Sequence, residues 1–196
     1  MSNNNKGYVQ VYTGNGKGKT TAALGITMRA SGAGIKVAFI QFMKALGYSE
    51  QKILPTLPGV TWKTLGKPFF IAKAGSISEE DLAGYGDSCV VFENGNPPAD
   101  YVKMIRDGFE EAREMVLSGE YDMVVLDEIN CAMYFELLDV EVVLDLIRNK
   151  PIHTELILTG RCAPDAIIEA ADLVTEMREI KHYYNEGVQA RRGIED

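Results

Sequence analysis

Residues Thr13 to Thr21 read TGNGKGKTT, and Gly14 to Lys19 alone hold three glycines and two lysines. These residue types gather around polyphosphate: glycines let backbone N–H groups approach the oxygens, and lysines supply charge. The usual phosphate loop has the spacing G-x-x-x-x-G-K-[ST]. Counted back from Gly18-Lys19-Thr20, its first glycine falls at position 13, where this chain has Thr13. The loop is therefore a variant. That points to phosphates held differently, and to chemistry other than cleavage of the γ-phosphate. Lys19 is placed to reach the phosphates and the Thr20 hydroxyl to ligate Mg2+, while Lys17 offers a second cation.

Two other segments carry chemistry. In MVVLDE, Met123 to Glu128, four apolar residues lead into a pair of acids. Open α/β sheets bind ligands at the carboxyl ends of their strands. Asp127 or Glu128 would there hold Mg2+ directly or through water; a solvated strand end is the plain alternative. In LTGR, Leu158 to Arg161, a second strand end delivers Arg161 to the same edge. Arg161 would clamp a phosphate or make a surface salt bridge. Arg29 lies late in the first helix, where a cation also complements the helix dipole. The only histidines are His153 and His182, and no G-x-S-x-G segment occurs. No side chain stands out as a covalent nucleophile or general base. The reaction then needs a second substrate that is itself a good nucleophile.

The elements that must position these groups alternate between short apolar runs and helical patterns, which predicts βαβ units around a parallel sheet. Strands are expected at Tyr8 to Thr13, Lys36 to Phe42, Val60 to Leu65, Met123 to Leu126, Glu155 to Thr159 and Leu173 to Ile180. The first helix should run from Lys19 to Ser31 with Ala23, Thr27 and Ala30 on one face, stopped by Gly32 and Gly34. A short helix is expected over Ser49 to Leu54, ended by Pro55. Ala99 to Leu117 is amphipathic, with Tyr101, Ile105, Phe109, Ala112 and Val116 as its stripe. Another helix spans about Val140 to Arg148, and Pro164 suits the first turn of the last one. Gly66 to Pro98, rich in Gly, Ser, Asp and Pro, reads as a long loop or insertion, a mobile lid or a passive excursion.

The 196 residues, 46% of them hydrophobic, suit a single domain over 1–196 with the loop-rich insertion at about 66–98. A net charge of −8 argues against nucleic acid or an anionic membrane surface as partner, though not against ATP. Cys89, Cys131 and Cys162 form no C-x-x-C pair and read as reduced thiols. The N-terminal MSNNNKG lacks an apolar stretch, and no run reaches the ~20 residues of a membrane span. A cytoplasmic protein is expected.

GNGKGKTTAALG, QFMK, the VVLDE strand, LILTGR, ADLVTEM and the C-terminal KHYYNEGVQARRGIE together resemble the ATP:corrinoid adenosyltransferases of the cobalamin pathway. The resemblance runs from about Gly7 to Glu195, outside Gly66 to Pro98. It implies a RecA-like P-loop NTPase fold and a homodimer. It also implies transfer of the 5′-deoxyadenosyl group of ATP to the Co(I) of a reduced corrinoid, with release of tripolyphosphate. The nucleotide would lie reversed relative to ordinary P-loop NTPases, exposing the ribose C5′. Carried over residue by residue, Gly14, Asn15, Gly16, Lys17, Gly18, Lys19, Thr20 and Thr21 hold the triphosphate. Thr20 and Glu128 contact Mg2+, with Asp127 as the neighbouring alternative, and Arg161 and Arg29 lie near the nucleotide. Lys19, Glu128 and Arg161 become the catalytic candidates.

The sequence departs from the family where a Phe-Thr-Trp element would help displace the corrin's lower ligand. Gly66-Lys67-Pro68-Phe69-Phe70 stands there, so Phe69 and Phe70 are the corrinoid-binding candidates, with hydrophobic core as the alternative. A reduced flavoprotein would supply the electrons. Two other readings share the loop: a P-loop nucleoside kinase or ATPase, and a corrinoid or nucleotide carrier without catalysis. The products formed from ATP separate them.

Overall fold

A computed structural model describes residues 6–195. Six strands form one parallel sheet: β1 (Val9–Thr13), β2 (Val37–Phe42), β3 (Val60–Leu65), β6 (Met123–Asp127), β7 (Glu155–Thr159) and β8 (Leu173–Glu176), in the order β3-β2-β6-β7-β1-β8. Helices α1 (Lys19–Gly32), α3 (Ala99–Leu117), α4 (Ile129–Tyr134), α5 (Val140–Asn149) and α6 (Asp165–Ala170) accompany it. The α/β architecture expected from the sequence is the one that forms. With β7 between β1 and β6, it is a P-loop NTPase-like arrangement.

Strand alternation divides the core in two. Val37 and Phe39 of β2, with Met123 and Val125 of β6, pack with Ala23 and Ala30 of α1. Their neighbours Ala38, Ile40, Phe42, Val124 and Leu126 face the other way, toward Ile105, Phe109 and Val116 of α3. A sheet buried on both faces reads as continuous apolar strands, which is why β2 and β6 have no polar alternation. The amphipathic stripes of α1 and α3 are the faces that turn inward: Ala23, Thr27, Ala30 and all five expected α3 residues are buried.

Four local expectations change. Ser49 to Leu54 is not one helix but two 3-10 turns, Ser49–Lys52 and Leu54–Thr56, with Pro55 inside the second. Gly66 to Pro98 has secondary structure of its own. Strands β4 (Phe70–Lys73) and β5 (Cys89–Phe92) pair in parallel through α2 (Glu79–Tyr85). Lys73 Nζ donates to Glu136 Oε1 at 2.6 Å, and the Gly95 N–H to Glu136 Oε2 at 2.6 Å, tying this unit to the residues after α4. Helix α4 was hidden because its six residues are too few to show a period. Strand β8 ends at Glu176 rather than Ile180, since the chain then turns back over the phosphate loop.

Candidate functional site

The variant loop leaves β1 at Thr13 and enters α1 at Lys19. Its glycines are needed because the segment after β8 lies against it. A Cβ on Gly14 would sit 2.5 Å from the Met177 carbonyl oxygen, and one on Gly16 2.7 Å from backbone atoms of Met177 and Arg178. The Gly16 N–H donates to Met177 O at 2.6 Å, and Asn15 Oδ1 accepts from the Glu179 N–H at 3.2 Å. Gly14 and Asn15 thus face the C-terminal segment, whereas Gly16 to Thr21 line a cavity of about 480 Å³. No side chain caps the start of α1, which leaves its positive end to that cavity.

The two loop lysines behave differently. Lys19 is buried, and its Nζ donates back to Gly14 O at 2.8 Å and Gly16 O at 2.7 Å. Burial pushes its ammonium below the ordinary value, with the nearby Glu128 carboxylate opposing. Lys17 is held by the tail, donating to Glu195 Oε1 at 2.8 Å, Ile194 O at 3.0 Å and Tyr183 Oη at 3.1 Å. The Glu195 hydrogen bond raises its ammonium.

Asp127 organises the floor. It is fully buried at the end of β6, where β2 and β7 flank it. Its Oδ1 accepts from Thr20 Oγ1 at 3.0 Å and from Thr159 Oγ1 at 2.6 Å. Its Oδ2 pairs with Lys44 Nζ at 3.1 Å. Lys44 also reaches Glu50 at 3.3 Å. Burial alone would lower Lys44, but Asp127 and Glu50 outweigh it and the ammonium is raised. Lys44 was quoted in QFMK without a role, yet it follows β2 at the same sheet edge as the acids; that placement was the available signal.

Glu128 opens the next turn with a left-handed backbone, φ 61°. Its N–H donates to Thr159 Oγ1 at 3.0 Å, and its Oε2 accepts from Cys131 Sγ at 2.8 Å. Burial first, and then the Asp127 charge, raise the Glu128 carboxyl. Burial also pushes the Cys131 thiol up, so it stays protonated and can donate. All three cysteines are free thiols.

A second cavity of about 560 Å³ adjoins the first. Phe69, Phe70, Tyr85, Tyr101, Tyr134 and Phe135 give it an aromatic wall. The two cavities share Lys44, Tyr48, Glu128 and Arg161. Phe69 is partly buried on the core, edge-on to Tyr101 with ring centroids 5.7 Å apart, whereas Phe70 is 56% exposed and tilted against Tyr85. Phe69 is thus partly core, and Phe70 is free to meet a ligand.

The structure gathers Gly16, Lys17, Gly18, Lys19, Thr20, Thr21, Glu128 and Arg161 at one place, with Asp127 beneath. Arg29 is not brought there. Ten residues beyond Lys19, about 15 Å by helical rise, it lines a separate cavity with Ile35, Asp122 and His153. His182 is a further residue to which the sequence reading assigns no role. It lines the first cavity, and its Nδ1 accepts from the Tyr184 N–H at 3.1 Å.

Known proteins resemble this chain over nearly all its length. A family model described as ATP:corrinoid adenosyltransferase BtuR/CobO/CobP matches residues 5–195. A corrinoid adenosyltransferase of Sinorhizobium sp is 36% identical over 97% of this chain and 80% of its own. The corrinoid adenosyltransferase of Escherichia coli strain K12 is 32% identical, over 97% of this chain and 86% of its own. That of Salmonella typhimurium strain LT2 is likewise 32% identical over the same shares.

Proposed function

The chain belongs to the ATP:corrinoid adenosyltransferase family and is an enzyme acting on ATP and a corrinoid; from that premise we propose how its two cavities divide the work. The first takes the triphosphate of ATP and the second the corrinoid. The 5′-deoxyadenosyl group passes to Co(I) at their boundary, and tripolyphosphate leaves in one piece. The observation that carries this reading is the shared boundary of Lys44, Tyr48, Glu128 and Arg161, between a cationic loop and an aromatic wall.

Co(I) carries the electron pair that forms the Co–C bond, while the C5′–O bond breaks and its pair leaves with the triphosphate. No protein base is then required. The protein's part is to align C5′ with cobalt and to stabilise negative charge on the departing oxygens. Lys19, Lys17, Arg161 and the start of α1 suit the second task. Tyr48, Phe70 and the remaining aromatic wall suit the first by seating the flat corrin.

Mg2+ fits the oxygen donors present. Thr20 Oγ1 and Asp127 Oδ1 are 3.0 Å apart, while Lys44 pairs with the other Asp127 oxygen. Thr20 and Glu128 would hold the ion, with Asp127 acting through the Thr20 hydroxyl. Among the described residues no cluster of three His, Cys, Asp or Glu side chains suits a metal, in keeping with an ion that takes most ligands from phosphate and water. Bound there, Mg2+ would neutralise charge on the leaving triphosphate. Asn15 and Gly14 support the loop through the tail rather than through its cavity.

The reading extends to a cytoplasmic homodimer that receives electrons from a reduced flavoprotein. Among the described residues no helix is long and apolar enough to cross a membrane. The decisive experiment mixes the protein with ATP, Mg2+ and chemically reduced cobalamin. An adenosylcorrinoid spectrum with stoichiometric tripolyphosphate is expected; ADP and phosphate as the only nucleotide-derived products would instead mean a kinase or ATPase.

A further inference from the structure

Cys131 was read in the sequence as an ordinary reduced thiol, but it lies between two residues of the cavity boundary. Its Sγ is 2.8 Å from Glu128 Oε2 and 3.8 Å from the Arg161 carbonyl oxygen. The close packing that puts it there depends on Gly160, at φ 129°. A Cβ on Gly160 would come within 3.0 Å of the Cys131 backbone nitrogen and of Asn130 Cβ. The end of β7 therefore rests directly on the first turn of α4.

Glu128 needs a positioning partner. Its backbone is left-handed and its N–H is committed to Thr159. Among the described residues it makes no salt bridge, and the Cys131 thiol is the one hydrogen-bond donor its carboxylate meets. Of the four cations lining the cavity, Lys19 is engaged with loop carbonyls, Lys44 with Asp127 and Glu50, and Lys17 with Glu195. Arg161 shares the boundary without a salt bridge to Glu128 among the described residues. Without the thiol, no hydrogen-bond donor among the described residues holds the Glu128 carboxylate at the boundary.

We propose that Cys131 is a positioning residue for the adenosyl transfer: its thiol fixes the Glu128 carboxylate where the two cavities meet. This rests on the reading that Glu128 acts at that boundary. The thiol suits the place because it donates a hydrogen bond without bringing charge beside Asp127 and Glu128. Cys131 also lines the second cavity, so the double variant below is what separates action through Glu128 from any contact of its own with the corrinoid.

The test is steady-state kinetics with ATP, Mg2+ and chemically generated cob(I)alamin on Cys131→Ala, Cys131→Ser, Glu128→Ala and the Glu128→Ala/Cys131→Ala double variant. Cys131→Ala is expected to lower kcat about 5- to 10-fold, the size of one lost hydrogen bond, with KM for ATP within about twofold. Cys131→Ser keeps a donor and should recover most of the rate. In the Glu128→Ala background, removing the thiol should cost nothing more, because its action passes through the missing carboxylate. Unchanged kcat in Cys131→Ala beside a slow Glu128→Ala overturns the proposal, as does a thiol effect that adds in full to the Glu128 loss. Wild-type kcat in Glu128→Ala would instead remove the underlying reading of Glu128, a separate result. Should Cys131→Ala fail to fold, Cys131→Val fills the site without a donor and carries the same expectations.

Discussion

Lys17 and Glu195 meet across 178 positions of sequence, Nζ to Oε1 at 2.8 Å, and so join the phosphate loop to the end of the chain. Glu195 also accepts from the Arg191 N–H at 2.7 Å, from its guanidinium at 3.0 and 3.3 Å, and from the Tyr183 hydroxyl. A carboxylate thus stands against a loop cation where an anionic ligand would otherwise be drawn. Glu195→Gln removes that competing charge. Tripolyphosphate should bind it about two- to fivefold more tightly, the range for a partly exposed ion pair. Isothermal titration against wild type checks this, and weaker binding would reverse the assignment.

Acid should release the tail from the loop. Hydrogen bonds from Arg191, then Lys17 and Tyr183, hold the Glu195 carboxyl far below its usual range. A carboxyl lowered in the folded state contributes its stabilisation above the unfolded value of about 4.5 and loses it as pH falls toward the folded one. Protection of residues 183–195 against hydrogen exchange, taken relative to the intrinsic rate at each pH, should therefore fall as pH drops below about 4.5. In Glu195→Gln that protection should already be low at neutral pH and respond little to acid. An equally steep acid response in the variant would assign the effect to another group.

Asp127 is expected to matter for folding as much as for chemistry. It is fully buried, with two hydroxyls and Lys44 directed at it. Asp127→Ala leaves Lys44 with Glu50 and the Thr20 hydroxyl, and takes from Thr20 and Thr159 the acceptor of their hydroxyl protons. Breaking such a pair costs about 3–5 kcal/mol, which for a chain of this size lowers Tm by roughly 6–20 °C. Differential scanning calorimetry measures it. A drop under about 3 °C would mean that the pair contributes little.

Lys19→Ala should spare the fold, because among the described residues its side chain bonds only to carbonyls of its own loop. The rate should suffer. Removing one preorganised charge from a developing anion costs about 10²–10³ in kcat. Single-turnover formation of the adenosylcorrinoid reports this directly, and a loss below tenfold would take Lys19 out of the leaving-group role.

The neighbouring phenylalanines should separate in mutagenesis. Phe70→Ala removes an exposed ring of the second cavity, and should weaken corrinoid binding while leaving Tm and KM for ATP nearly unchanged. Phe69→Ala cuts into partly buried packing against Tyr101 and should lower Tm. Corrinoid titration by fluorescence quenching, run beside thermal melts, distinguishes them; equal effects on both readouts would deny the division.

Much of this molecule could be read along the chain because the relevant forces act over short distances. The stripe of α3, the apolar runs of β2 and β6, and the glycines and lysines between β1 and α1 follow from helix and strand periods and from what a phosphate loop requires. Helix α4 and the β4-α2-β5 unit escaped because they are too short for periodicity to speak. Arg29 illustrates a different failure: its charge was legible, but the length of α1 carries it away from the loop.

By itself, the sequence determined the parallel α/β sheet, the loop at its edge and the family to which the chain belongs, since these depend on residue types at fixed local spacing. Tertiary structure decided which groups meet. Strand order puts β7 beside β6, so Thr159 and Thr20, itself 107 positions from Asp127, converge on one carboxylate. The same order brings Lys44 to Asp127, and the tail's return after β8 gives Lys17 to Glu195. A hydrogen bond is selected within about 3 Å, and no local pattern specifies separations that only the completed fold imposes.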